Sequence, residues 1–175
     1  PKCVALQLGK GVNFPFAPLR LHGRVLDTCL GARYLGVRFI SDLSFEEHLR
    51  LIISKASRAG YLLLKSFVSR RIDVLGVAFA VYVRPILESF CSVWNPTKAS
   101  ESDDIERVQR RFTRQAFRMR GETPPEYEQR MSLMGLESLK SRRLHLDLAF
   151  AHSVYHSEDL LLSSILRKAP QNPRL

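Results

Sequence analysis

RYLGVRFISDLSFEEHLRLIISKASRAG, Arg33 to Gly60, contains the change of period that decides the fold. Over Arg33 to Ile40, Leu35, Val37 and Phe39 alternate with Tyr34, Gly36, Arg38 and Ile40, a strand pattern, and Gly36 allows another group close to the backbone. From residue 41 the period becomes helical. Ser44 with Glu47 three residues on reads as a capping box. Phe45, Leu49, Ile52, Ile53, Ala56, Leu63, Leu64 and Phe67 then recur at spacings of three and four, which predicts one buried helix face.

Upstream the chain reads as β-rich. Cys3 to Leu8 is a short apolar stretch, Gly9 to Gly11 and Pro15 to Pro18 mark turns, and LRLHGRVL reads as a hairpin about His22-Gly23. Downstream the chain reads as helical. Ile72 to Val93 is apolar nearly all round, so it predicts a buried helix, kinked or divided by Pro85 and ended by Asn95-Pro96. A third helix is expected from Ser102 or Asp103 as N-cap to Gly121. A fourth starts at Thr123-Pro124-Pro125-Glu126 and is interrupted by Gly135. A fifth covers about Leu139 to His156, and the terminal APQNPRL is expected to fray. The expected fold is α+β, mostly α: a short antiparallel β piece (1–40), a helical bundle (41–120) and a helical extension (121–175), with about five helices.

The 175 residues carry 27 Lys and Arg against 17 Asp and Glu, a formal charge of +10. An apolar fraction of 45% excludes a disordered basic tail. The longest apolar run, Val74 to Val83, is too short to span a membrane, for which roughly 20 residues are needed. The opening Pro-Lys-Cys suggests a cut through a longer protein. Three scattered cysteines form neither a disulfide framework nor a metal knuckle, and they suit a reducing compartment. Of the cations, 20 are Arg, the residue suited to phosphate and stacking, so the charge favours a polyanionic partner.

The excess is not where the strongest pattern is. Residues 101–130 hold seven basic and seven acidic side chains and are neutral in sum. Within them the charges separate. At about 100° per residue, Arg107, Arg110, Arg111, Arg114 and Arg118 share a sector of roughly 100°. Ile105, Val108, Phe112, Ala116 and Met119 lie opposite. Like charges at these spacings repel, so the stripe is better explained by an anionic partner, nucleic-acid backbone, than by a solvated face. Phe117 borders the stripe and is expected to pack on a neighbouring helix rather than stack on a base.

Other constellations offer no catalysis. Asp103-Asp104 reads as an N-cap rather than a metal pair. His152 and His156 lack a third ligand. There is no nucleophile elbow and no phosphate-cradling glycine loop.

Four stretches together resemble one family. YLGVRFISDLSFEEHL (34–49) resembles the Y-L-G-V strand and S-x-x-L-S-[FW]-x-x-H of non-LTR, LINE-type (jockey-like) retrotransposon reverse transcriptases. VYVRPILESFCSVWNP (81–96) resembles their V-R-P-x-L-E-Y-x-x-x-V-W-x-P, departing at Ser89-Phe90. DIERVQRRFTR (104–114) and YEQRMSLMGLESLKSRR (127–143) resemble the helices that follow, in the family's order. The resemblance implies the end of the palm with the primer grip in 1–40, the thumb in 41–120 and a post-thumb extension in 121–175. Lys2-Cys3 would match the lysine past the catalytic strands, and Leu35 and Gly36 would help hold the primer end. The partners implied are an RNA/DNA template–primer duplex and the remainder of the reverse transcriptase polypeptide, with no membrane. The location implied is intracellular, and nuclear for the parent element. The parent is expected to use Mg2+, but no F/Y-x-D-D occurs here. No cofactor and no catalytic residue is therefore expected in this chain, and no RNA-directed DNA polymerase activity from it alone. The alternatives are a helical protein-interaction module with an acidic partner, or a non-functional transposon remnant.

Overall fold

A computed structural model describes residues 3–9 and 18–156. The expectations for Lys2, for 10–17 and for the terminal APQNPRL lie outside these residues. The architecture is α+β and mostly helical, with short N-terminal strands followed by helices.

The β part consists of three two-stranded pieces rather than one antiparallel unit. Strand β1 (Val4–Leu6) pairs in parallel with β4 (Asp27–Cys29). Strands β2 (Arg20–Leu21) and β3 (Arg24–Val25) form the expected hairpin about His22-Gly23, both at positive φ. Strands β5 (Gly31–Tyr34) and β6 (Val37–Ile40) form a second hairpin. Sequence alternation predicts one strand through Arg33–Ile40. Instead the chain reverses at Leu35-Gly36, with φ of 47° and 90°, the two-residue turn whose twist matches a hairpin. Nothing approaches Gly36; the positive φ is what requires it there. Among the described strands only β6 contributes to the core. Val37 is buried, and Phe39 meets Phe45 edge to face at 5.8 Å.

Seven helices follow among the described residues, where sequence reading expects about five. Helix α1 (Glu46–Ser66) starts two residues after Ser44, whose hydroxyl accepts from the Glu46 N–H at 3.4 Å, so the capping box does not close. The apolar stretch 72–93 divides into α2 (Ile72–Tyr82), α3 (Arg84–Glu88) and α4 (Cys91–Trp94). Pro85 lacks an N–H to continue α2, and Phe90 takes a left-handed conformation between α3 and α4. This double bend swings Trp94 into the core, where its indole N–H donates to the Ser89 carbonyl at 2.8 Å.

Helix α5 (Ala99–Arg118) begins earlier than expected, so Ser102 and Asp103 lie inside it and cap nothing. Lys98, immediately before it, is held by Glu46 at 2.5 Å and Glu101 at 3.5 Å, which ties the helix start to α1. Thr123-Pro124-Pro125 lies outside any helix, and α6 (Tyr127–Met134) starts after it, with Glu126 at the N-cap position, and stops at Gly135 in the left-handed region. Helix α7 (Leu139–Tyr155) has Ser138 as N-cap, its hydroxyl accepting from the Ser141 N–H. One core joins β6 and all seven helices except the outer turns of α7. Helices α2 and α6 touch backbone to backbone: a Cβ on Gly76 would sit 2.0 Å from the Met134 carbonyl oxygen.

Candidate nucleic-acid interface

Helix α5 runs through the middle of the bundle and packs on α1, α2, α6 and α7. Ile105, Val108, Phe112 and Ala116 are buried as their spacing predicts. Gly60 of α1 lets Phe112 close in, its missing Cβ lying 3.3 Å from that ring. Phe117 is buried too, so it packs rather than stacks on a base.

A second flank of α5 is buried although it is polar: Glu106, Gln109 and Thr113. The Gln109 amide donates to the Tyr127 hydroxyl at 3.0 Å and to the Glu137 carbonyl at 2.9 Å. Tyr127 in turn donates to Glu106, which also accepts from the Lys140 N–H at 3.2 Å. Arg130 donates to the Thr113 hydroxyl at 3.2 Å, and Arg143 to the Ser102 hydroxyl at 2.8 Å. Burial first, then the bond to Glu106, pushes the Tyr127 phenol well above its usual range, so it stays a donor. The Gln109 Oε1 and the Arg143 Nε and Nη1 find no partner among the described residues, but the bonds that are made tie α5 to α6 and α7. They set the rotation of α5 about its axis.

That rotation turns Arg107, Arg110, Arg111, Arg114 and Arg118 to solvent; all five are exposed. Arg107 pairs with Asp104 at 2.7 Å, one turn earlier. The Arg110 guanidinium lies 5.1 Å over the Tyr127 ring. Arg111, Arg114 and Arg118 have no carboxylate partner among the described residues. Arg114 stands close enough to Arg130 to lower the latter's pKa, after the larger effect of burial. Asp104 is thus committed to Arg107 within a basic stripe. No group of three potential metal ligands occurs among the described residues.

The stripe has a second wall that the sequence reading missed. A groove between α1 and α5 is lined by Arg50, Ser54 and Ser57 from α1 and by Arg107 and Arg111 from α5. It continues past Tyr61 and Gln115. The signal is present in the sequence as Arg50, Ser54, Ser57 and Tyr61, a polar row at spacings of four and three that shares α1 with its apolar face.

Leu35 and Gly36 lie elsewhere. They form the exposed tip of the β5–β6 hairpin and line a cleft of about 690 Å³ with His48, Leu51, Ile52 and Lys55 of α1. At about 100° per residue these four occupy the flank of α1 opposite Arg50, Ser54 and Ser57. The five arginines and the hairpin tip therefore belong to two surfaces, not one.

No protein-family model, curated protein sequence or solved structure matches the chain. Among the described residues no helix is long and apolar enough to cross a membrane.

Proposed function

We propose that this chain is the end-of-palm, thumb and post-thumb portion of a LINE-type reverse transcriptase and binds a template–primer duplex without reading its sequence. The observation that carries the binding reading is the orientation of α5: a buried polar network holds five arginines outward, four of them (Arg110, Arg111, Arg114 and Arg118) without a carboxylate partner among the described residues. A row of guanidinium groups beside serine hydroxyls is donor-rich, fixed in place and indifferent to base identity, the chemistry of phosphate-backbone contact. The four motifs at 34–49, 81–96, 104–114 and 127–143 support the family assignment. Leu35 and Gly36 are assigned to the primer end by that resemblance alone. Because no paired aspartates suited to a divalent metal accompany them, the chain by itself is expected to extend no primer.

The test is titration of an RNA–DNA duplex with the chain and with a variant carrying Arg110→Glu, Arg111→Glu and Arg114→Glu. All three side chains are exposed, so the variant should keep its helical circular dichroism and lose binding by about 100-fold or more. Equal affinity in the two proteins would refute the reading.

A further inference from the structure

The last turn of α7 carries a pair of side chains that duplex binding by α5 does not use. His152 and His156 stand four residues apart on one face of the helix, both exposed, with ring centroids 4.3 Å apart. The Tyr155 ring meets His156 edge on at 5.0 Å and flanks the pair. Val154, between them in the chain, is only 4% exposed, so this turn has a buried side as well as an open one. The backbones of the same two histidines make the closing hydrogen bond of the helix, from the His156 N–H to the His152 carbonyl at 3.1 Å. Neither imidazole has a hydrogen-bond or ion-pair partner among the described residues.

Two imidazoles at i and i+4 converge on one point in front of a helix, the spacing by which helical zinc sites present two ligands. A ring nitrogen binds zinc at about 2.0–2.1 Å. Rings whose centroids already lie 4.3 Å apart can therefore share an ion by side-chain rotation alone. Imidazole suits Zn2+, Ni2+ and Cu2+, whereas Mg2+ takes oxygen ligands. The C-terminal end of a helix carries partial negative charge, which favours a cation there. His145 lies on the same face but about 10.5 Å earlier along the axis, too far to reach the same ion. Ser153 follows His152 where a helical zinc protease has its glutamate base, so the pair is suited to holding an ion rather than to hydrolysis.

We infer that His152 and His156 chelate one divalent ion of the Zn2+, Ni2+ and Cu2+ class, with water at the remaining positions, and that the ion fastens the last turn of α7. The chain supplies two ligands from one rigid turn, and the chelate spans the same two residues as the closing backbone hydrogen bond. The site goes beyond the duplex reading and lies on a different helix from the arginine stripe, so either can fail without the other.

The test uses the full chain without an affinity tag and calorimetric titration with ZnCl2, NiCl2 and MgCl2. Zn2+ and Ni2+ should each bind saturably at one equivalent, and Mg2+ should not. His152→Asn and His156→Asn should each weaken that binding by about tenfold or more. His145→Asn and Cys3→Ser, which remove other exposed donors, should leave it unchanged. All four side chains are exposed, so the metal-free variants should melt with the natural chain. With Zn2+ bound, the His156 amide should exchange with solvent more slowly, because the chelate closes over its hydrogen bond. Absence of Zn2+ and Ni2+ binding, an affinity unchanged in either histidine variant, or a His156 amide that Zn2+ leaves unprotected would overturn the site.

Discussion

The arginines of α5 and those of α6 and α7 are the same side chain put to opposite uses. Arg142 makes two hydrogen bonds to Glu88, at 2.6 and 3.1 Å, which raises its pKa, and Arg143 is buried within the Coulomb reach of Glu106, Glu88 and Asp147. Arg130 donates to Thr113 and to the Pro125 carbonyl. Each inward arginine has at least one acceptor supplied by another element, although the Nε and Nη1 of Arg143 have none among the described residues. Arg111, Arg114 and Arg118 have none among the described residues, although α5 packs on both α6 and α7. The difference teaches that an arginine count says little about a partner. What matters is whether the fold itself supplies the counter-charge.

The comparison can be broken most severely from the inside. Arg143→Ala should cost about 2–5 kcal/mol, because it removes a fully buried side chain, opens a cavity and leaves the Ser102 hydroxyl without its donor; chemical denaturation measures it. A loss below about 1 kcal/mol would mean that the packing around Arg143 does not depend on its side chain. Glu88→Gln should cost about 1–3 kcal/mol in the same assay, since the half-buried Arg142 keeps only one neutral acceptor where it had a charged bidentate one. On the outer side, Arg114→Ala should leave stability within about 0.5 kcal/mol and reduce the salt dependence of duplex binding by about one phosphate. Smallest of all, Asp104→Asn frees Arg107 from an exposed pair. Stability should change by less than about 0.5 kcal/mol while duplex affinity rises a few-fold.

The sequence made the outer set more legible than the inner one. Five arginines in one sector of α5 follow from spacing alone, and the apolar face of α1 is equally local. Glu106, Gln109 and Thr113 give no such signal. Their burial depends on Tyr127, Glu137 and Arg130 arriving from later in the chain, and polarity argues against it. The break of 72–93 into three helices is half legible. Pro85 announces the first bend, but the second rests on Phe90 in a conformation that its own propensity disfavours. The turn at Leu35-Gly36 was hidden for a similar reason: alternation continues through it, and only Gly36 suggests a reversal. The early start of α5 depends on Lys98 reaching Glu46 fifty residues upstream. Local reading thus works where one helix face suffices and fails where a contact between distant segments decides.

The central claim is that the outward arginines meet phosphates. The direct measurement is the slope of log affinity against log salt for an RNA–DNA duplex, in the natural sequence and with Arg110→Gln, Arg111→Gln and Arg114→Gln. Five contacts predict a slope of about −4.5, falling to about −1.8 when three are removed, at about −0.9 per phosphate. A slope near zero, or one unchanged by the three substitutions, would contradict the account.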